Sequence, residues 1–251
     1  MERMLPVPYL SISQINKYLT CPKQYEFRYV QKIPESKGSP LVVGSSFHKV
    51  IEESNRQKLD TGEILSDEEM KDIYNSYWKK NVHDIEWKPD ENPDEEKERG
   101  FILAKAYLHD DIGKSLNPAG FEAKFDVEVE GIPFRGFIDI IEEDGHIRDL
   151  KTSKKTPAAD VAEQSLQLAG YSYAYRYLTG NYEAGCSLDF AVSLKTGPKI
   201  VRRETEITDY RMDRFKDTFY NVANAIDKEI YYRNEGTACS WCSFRDICKG
   251  E

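Results

Sequence analysis

No run of apolar residues in this sequence approaches the roughly 20 needed to cross a bilayer. The first eight residues lack the apolar core of a secretory signal. Together these absences lead us to expect a chain with no membrane partner, in a reducing, cytoplasmic or nucleoid-associated compartment. Cysteine is scarce, at 5 of 251 residues. In such a compartment clustered thiols bind metal more often than they form disulfides. A basic excess is lacking too: 35 Lys and Arg face 44 Asp and Glu, for a formal net charge of −9. Binding to phosphates through global charge is thereby excluded. The acid is unevenly spread, however. Residues 90–98 read as a solvated acidic linker, while Lys151, Lys154, Lys155, Lys195, Lys199, Arg202 and Arg203 form two basic groups. There is no Gly-x4-Gly-Lys-Ser/Thr stretch, so no nucleotide-driven motor is expected.

What is present is an ordinary globular balance, 39% hydrophobic and 31% charged, that suits one elaborated domain over residues 1–251. Its expected parts are a mostly helical stretch over 21–120, an α/β core over 121–207, and a C-terminal helix with a cysteine group over 208–251. Ser11 to Gln14 reads as a capping box for a short helix that Pro22 ends at Cys21. The aromatic stretch Tyr25 to Val30 is expected to be extended. Gly44 to His48 is expected to open a helix capped by Ser45 or Ser46, with further helices around Asp67–Lys80 and Glu98–Asp111. From Phe121 the hydrophobic period changes to two. Strands are predicted at Phe121–Glu130, Phe134–Ile141 and His146–Thr152, with turns at Gly131 and at Glu143–Gly145. Pro157 and the box Asp160–Glu163 are expected to start a helix reaching Leu178. Strands Leu188–Lys195 and Lys199–Ile207 follow. Met212, Phe215, Phe219, Val222, Ile226 and Ile230 then recur at helical spacing.

Two constellations carry chemistry. In the first, Asp149 and Lys151 share one face of a strand, and Asp139 lies on the neighbouring strand of a hairpin. Two carboxylates at one sheet end make a hard, oxygen-rich site suited to Mg²⁺ or Mn²⁺. A lysine beside them can orient an attacking water and offset developing negative charge. Asp-x-Lys alone also fits a solvated surface hairpin. The flanks (Phe134, Phe137, Ile138, Ile140, Ile141, Ile147, Leu150) instead predict a mostly buried sheet, where charges need partners or a metal. Gln167 and Tyr171, four residues apart on the next helix, present an amide and a phenol on one face. In the second constellation, Cys239, Cys242 and Cys248 crowd the C-terminal end, and Cys21 stands alone near the start. Thiolates at this spacing can converge on one soft metal centre if the fold joins the chain ends. A structural zinc site is one reading of such a set, and an iron–sulfur cluster is another. Cys186 reads as a small core residue.

The ordered set Gly44–His48, Gly136–Asp139, Asp149–Lys151 and Gln167–Tyr171 resembles the RecB-like branch of the PD-(D/E)XK nuclease superfamily. The lone Cys21 and the Cys-x2-Cys-x5-Cys tail are similar to the iron–sulfur nucleases of that branch: the AddB nuclease domain, the CRISPR-associated exonucleases and eukaryotic exonuclease V. The resemblance runs from about Cys21 to Cys248. It implies a restriction-endonuclease-like mixed central sheet flanked by helices, with a helical iron–sulfur subdomain built from both termini. It also implies that His48, Asp139, Asp149 and the Leu150 carbonyl hold the divalent ion, that Cys21, Cys239, Cys242 and Cys248 hold a 4Fe-4S cluster, and that the cluster is preferred over zinc. Gln167 and Tyr171 would contact the DNA backbone or support the site. The expected activity is metal-dependent DNA cleavage, by an exonuclease preferring single-stranded ends, in repair, recombination or CRISPR adaptation. Such an enzyme would work alone, as a homo-oligomer or with a protein partner. Rival expectations are a DNA-end-binding or structural subunit with weak catalysis, and an RNA nuclease. Tyr25, Phe27, Tyr29, Tyr173 and Tyr175 are aromatics that can stack unpaired bases or serve the core.

Overall fold

A computed structural model describes residues 5–250. Its centre is a five-stranded mixed sheet: β1 (Pro118–Val129), β2 (Ile132–Glu142), β3 (Ile147–Ser153), β4 (Cys186–Leu194) and β5 (Gly197–Thr205), in that spatial order. All neighbours are antiparallel except β3 and β4, which run parallel. A parallel pair needs a crossover, and helix α7 (Leu166–Thr179) supplies it. The β1–β2 hairpin turns at Glu130 and Gly131, both with positive φ (51° and 75°). Left-handed backbone at both central residues gives the two-residue turn that matches strand twist.

Each face of the sheet carries its own core. On one side lie α1 (Ile12–Thr20), α7 and α8 (Asp209–Asp227), packed around Phe125, Phe134, Ile138, Phe215 and Phe219. On the other lie α3 (Ser39–Thr61), α4 (Asp67–Asn81) and α5 (Pro93–His109), with the short α6 (Asp111–Lys114) after it, around Phe47, Tyr74, Tyr107, Ile140 and Leu150. The α/β fold with a sheet flanked by helices is thus as expected from the change of hydrophobic period.

Several local expectations are corrected. Tyr25–Val30 is helical rather than extended: a short α2 (Pro22–Tyr25) continues into a π turn over Glu26–Val30. α2 and the turn bury Tyr25 and Phe27, respectively. Gly44 does not open its helix. α3 begins at Ser39, with Pro40 in the first turn, where its missing N–H costs nothing. The acidic run is no linker beyond Asn92. Asn92 caps α5, and Asp94, Glu95 and Glu96 fill a first turn whose helix dipole favours negative charge. α7 starts at Leu166, capped by Ser165, not at Pro157. Residues 159–164 form turns instead, and Arg203 donates to the carbonyls of Pro157 and Ala158 and Arg211 to that of Ala162. α8 ends at Asp227, and Ile230 lies outside it, half-exposed.

The two chain ends meet. Tyr18 donates from its hydroxyl to the Ile230 carbonyl at 2.6 Å, and the Lys23 amide donates to the Tyr232 carbonyl at 3.1 Å. Asn234 donates from its side chain to the Thr20 carbonyl at 3.0 Å. Phe27 and Phe244 rings pack 5.6 Å apart. A 3₁₀ turn (Thr237–Trp241) and α9 (Arg245–Lys249) complete this end.

Candidate active site

β2 and β3 pair only at Ile140↔Arg148 and Ile141↔Ile147 and then diverge. The fork brings together Asp139 from one strand and Asp149, Leu150 and Lys151 from the other. α3 lays His48 across it. Leu150 is the bridge: its amide donates to Asp139 Oδ2 at 2.9 Å, and its carbonyl lies 3.0 Å from His48 Nε2. A carbonyl can only accept, so this contact places the imidazole proton on Nε2 and leaves a lone pair on Nδ1. Nδ1 faces Asp139 Oδ2 at 3.6 Å and Glu122 Oε1 at 4.0 Å. The ligand atoms of His48, Glu122 and Asp139 all lie within 4.8 Å of one another. Three acceptors with no donor between them have the donor set of a divalent-cation site.

Glu122 was not among the residues singled out by sequence. It occupies β1 opposite Asp139, between the pairs Phe121↔Ile140 and Ala123↔Ile138. Its backbone is left-handed, φ 45°, a conformation costly for a residue with a side chain. The strained segment adjoins an irregularity between Pro118 and Gly120. No spacing signal marks Glu122 among 44 acidic residues.

Asp149 is fully buried. Lys151 Nζ approaches its Oδ2 at 2.7 Å, yet neither carboxylate oxygen has a partner in hydrogen-bond geometry. A buried carboxylate with spare lone pairs beside the His48–Glu122–Asp139 group fits a hard cation. Lys151 Nζ also donates to Gln167 Oε1 at 2.9 Å, and Gln167 Nε2 donates to the Tyr171 hydroxyl at 2.7 Å. An ammonium can only donate, so the amide oxygen faces the lysine and the tyrosine keeps its own proton to offer. This explains the four-residue spacing on α7. Electrostatics follow from crowding. Burial, then the Asp149 carboxylate, holds Asp139 well above the usual carboxylate range. Burial, then Glu52 and Asp149, raises Glu122. Burial keeps the His48 imidazole below its ordinary range, and burial, then Asp149, keeps the Tyr171 phenol protonated.

A cleft of about 760 Å³ opens from Asp139, Lys151, Gln167 and Tyr171 toward Tyr9, Asn16, Lys124, Arg135 and Phe137. Phe137, expected within a buried sheet, is 51% exposed there. The helices of that sheet face pack mainly on β3, β4 and β5, to one side of Phe137. By contrast, Tyr25 and Phe27 are buried, and Tyr29, Tyr173 and Tyr175 pack against the first core, so these five serve packing.

Gly136 of the Gly-x-x-Asp motif has a packing reason: a Cβ there would lie 2.5 Å from the Phe125 ring. Gly44 has none of that kind, its nearest neighbour being Thr152 Oγ1 at 3.8 Å. At the other end of the molecule, Cys21, Cys239, Cys242 and Cys248 line one cavity of about 350 Å³. All five cysteines are free, Cys186 is buried in the first core, and the Asn234 amide points at Cys21 Sγ at 3.4 Å. Burial pushes the Cys242 thiol up; a hydrogen bond from the Phe244 backbone opposes this, and the other three thiols add to it.

Fold and site place a candidate divalent-cation centre at one end of a mixed sheet flanked by helices. The model of the PD-(D/E)XK nuclease superfamily matches residues 9–249, and the chain belongs to that superfamily. It is similar to the Gene 69 protein of Mycobacterium phage L5, 24% identical with 96% of each chain covered, and to that of Mycobacterium phage D29, 23% identical with 97% of each covered. The fold is also that of a candidate exonuclease from Eubacterium rectale, with a TM-score of 0.65 at 13% identity, covering 93% of this chain and 88% of that one. PD-(D/E)XK nucleases use divalent metals. No helix among the described residues is long and apolar enough to cross a membrane.

Proposed function

We propose that the chain is a RecB-like, metal-dependent DNA exonuclease that prefers single-stranded ends. The observation carrying this reading is the fork at β2 and β3. There His48, Glu122 and Asp139 turn their acceptor atoms to one point, beside the buried Asp149 carboxylate, whose oxygens accept no hydrogen bond. These four, with the Leu150 carbonyl, would hold Mg²⁺ or Mn²⁺. A bound ion supplies Lewis-acid polarisation of the scissile phosphate and offsets charge on the departing oxygen.

The protein's own residues do the rest. Lys151, held between Asp149 and Gln167, orients the attacking water and places its charge beside the phosphate. Gln167 fixes the lysine, and Tyr171 offers its hydroxyl proton to a backbone oxygen at the cleft wall. The Leu150 main chain keeps Asp139 and His48 in register. The four cysteines that line the second cavity would hold a 4Fe-4S cluster that clamps the chain ends. The domain would work as one unit over residues 1–251, in repair, recombination or CRISPR adaptation, alone or with copies or partners.

The test is cleavage of end-labelled single- and double-stranded DNA with Mg²⁺ or Mn²⁺. Label release from a free end, blocked by EDTA and by capping that end, is expected. Absence of metal-stimulated cleavage on every DNA would overturn the reading.

A further inference from the structure

We infer that Phe137 is a base-stacking platform that seats an unpaired DNA base beside the metal site and selects single-stranded over duplex substrate. The inference rests on the nuclease reading of the same cleft and assigns a residue that the reading does not use.

Phe137 and Asp139 are two residues apart on β2 and so share a face. The register places Lys124 opposite Phe137 and Asp126 opposite Arg135, on the same face of the hairpin. Moving away from Asp139, the face therefore presents Phe137 with Lys124, then Arg135 with Asp126, at about 6.8 Å per step. Arg135 is held from two sides, by Asp126 at 2.8 Å and by the Tyr9 ring 5.1 Å below its guanidinium. The result is an aromatic ring flanked by Lys124 and a fixed Arg135, lining the cleft that ends at Lys151 and Asp139.

An exposed phenylalanine gives up the hydrophobic stabilisation that every neighbouring aromatic obtains. Phe125 and Tyr171 are buried, and Phe121 packs against the second core, whereas Phe137 belongs to neither core. Its ring has free area only for something that arrives from the cleft. Unpaired bases offer a flat apolar face and carry a phosphate that Lys124 and Arg135 can meet. In a duplex those faces are already stacked. Aromatic rings alternating with cations are the chemistry that binds single strands without reading sequence.

The experiment uses the full chain with Ca²⁺ in place of Mg²⁺ and a short oligothymidine carrying one 2-aminopurine at its end. The wild type is expected to bind it and quench the 2-aminopurine fluorescence. Phe137→Ala should lose the quench and about 5- to 150-fold in affinity, the range for one stacked base. Its affinity for blunt duplex and its melting temperature should stay put, and Phe137→Trp should restore the quench. Three results would overturn the inference: Phe137→Ala quenching as the wild type does, an equal loss on duplex, or a change in oligomeric mass showing that the ring is covered by a second copy. Cleavage in Mg²⁺, run in parallel, separates the two readings. Wild type that quenches but never cleaves sinks the nuclease reading alone. Wild type that cleaves while Phe137→Ala is unaltered in binding sinks this inference alone.

Discussion

The carbonyl of Leu150 and the imidazole of His48 lie 3.0 Å apart although 102 residues separate them. That contact joins the helical face of the molecule to the sheet. It turns the His48 Nδ1 lone pair toward Asp139 and Glu122, and so decides where a cation can sit.

Removing a group from this point should stop the reaction without unfolding the chain. Asp139→Ala, Asp149→Asn and Lys151→Ala should each lower cleavage by at least about 100-fold, the scale of losing a key electrostatic contact to the transition state. Circular dichroism should stay native. Glu122→Gln should raise the Mg²⁺ concentration needed for half-maximal rate. Wild-type rates from the first three, or an unmoved metal requirement in the fourth, would remove those residues from the site.

The chain of contacts from Lys151 to Tyr171 should show itself as coupling. Gln167→Ala and Tyr171→Phe should weaken cleavage by less than loss of Asp149, because they position the lysine and the phosphate rather than hold the ion. In a double-mutant cycle, Lys151→Ala with Gln167→Ala should fall well short of additive, since both break one contact. Strict additivity of the two would mean that the 2.9 Å contact has no part in turnover.

Metal and pH should be linked in a defined direction. Asp139 is raised above the ordinary carboxylate value of about 4 by burial and by Asp149. A raised carboxylate contributes stability below the unfolded pKa and loses it as pH rises through the folded one. Metal-free protein should therefore lose melting temperature as pH climbs above about 4. Mg²⁺ binds the ionised form and should restore it, so the Mg²⁺-induced rise in melting temperature should grow with pH. Thermal scans at several pH values, with and without Mg²⁺, test this; a metal effect that shrinks as pH rises would contradict it.

The cysteine cavity makes a prediction that pairs distant residues. Anaerobically purified protein should be yellow-brown with about four irons per chain. Cys21→Ser and Cys248→Ser should lose colour and melting temperature alike, because each breaks the same closure of the chain ends. Cys186→Ser should keep the colour, its side chain lying in the first core. Colourless protein with one zinc per chain would replace the cluster with a structural zinc site.

The strands, the main helices and the order of motifs were legible in the sequence because hydrophobic periodicity and turn chemistry are local. Asp139, Asp149 and Lys151 could be placed at one sheet end from strand alternation alone, and Gln167 with Tyr171 from helical spacing. Boundaries were less legible. Pro40 opens α3 well before the serines that looked like caps, and arginines from β5 and α8 take the carbonyls of Pro157, Ala158 and Ala162. Three features of the site depend on long-range packing. Glu122 reaches Asp139 only because β1 is irregular and left-handed there. Cys21 meets the C-terminal cysteines only because the segment after α8 folds back on α1. Phe137 reads as a core residue in any one-dimensional pattern. It stands open because the helices of that sheet face pack mainly on β3, β4 and β5, and coverage by distant elements is a property of the assembled sheet rather than of any local stretch of chain.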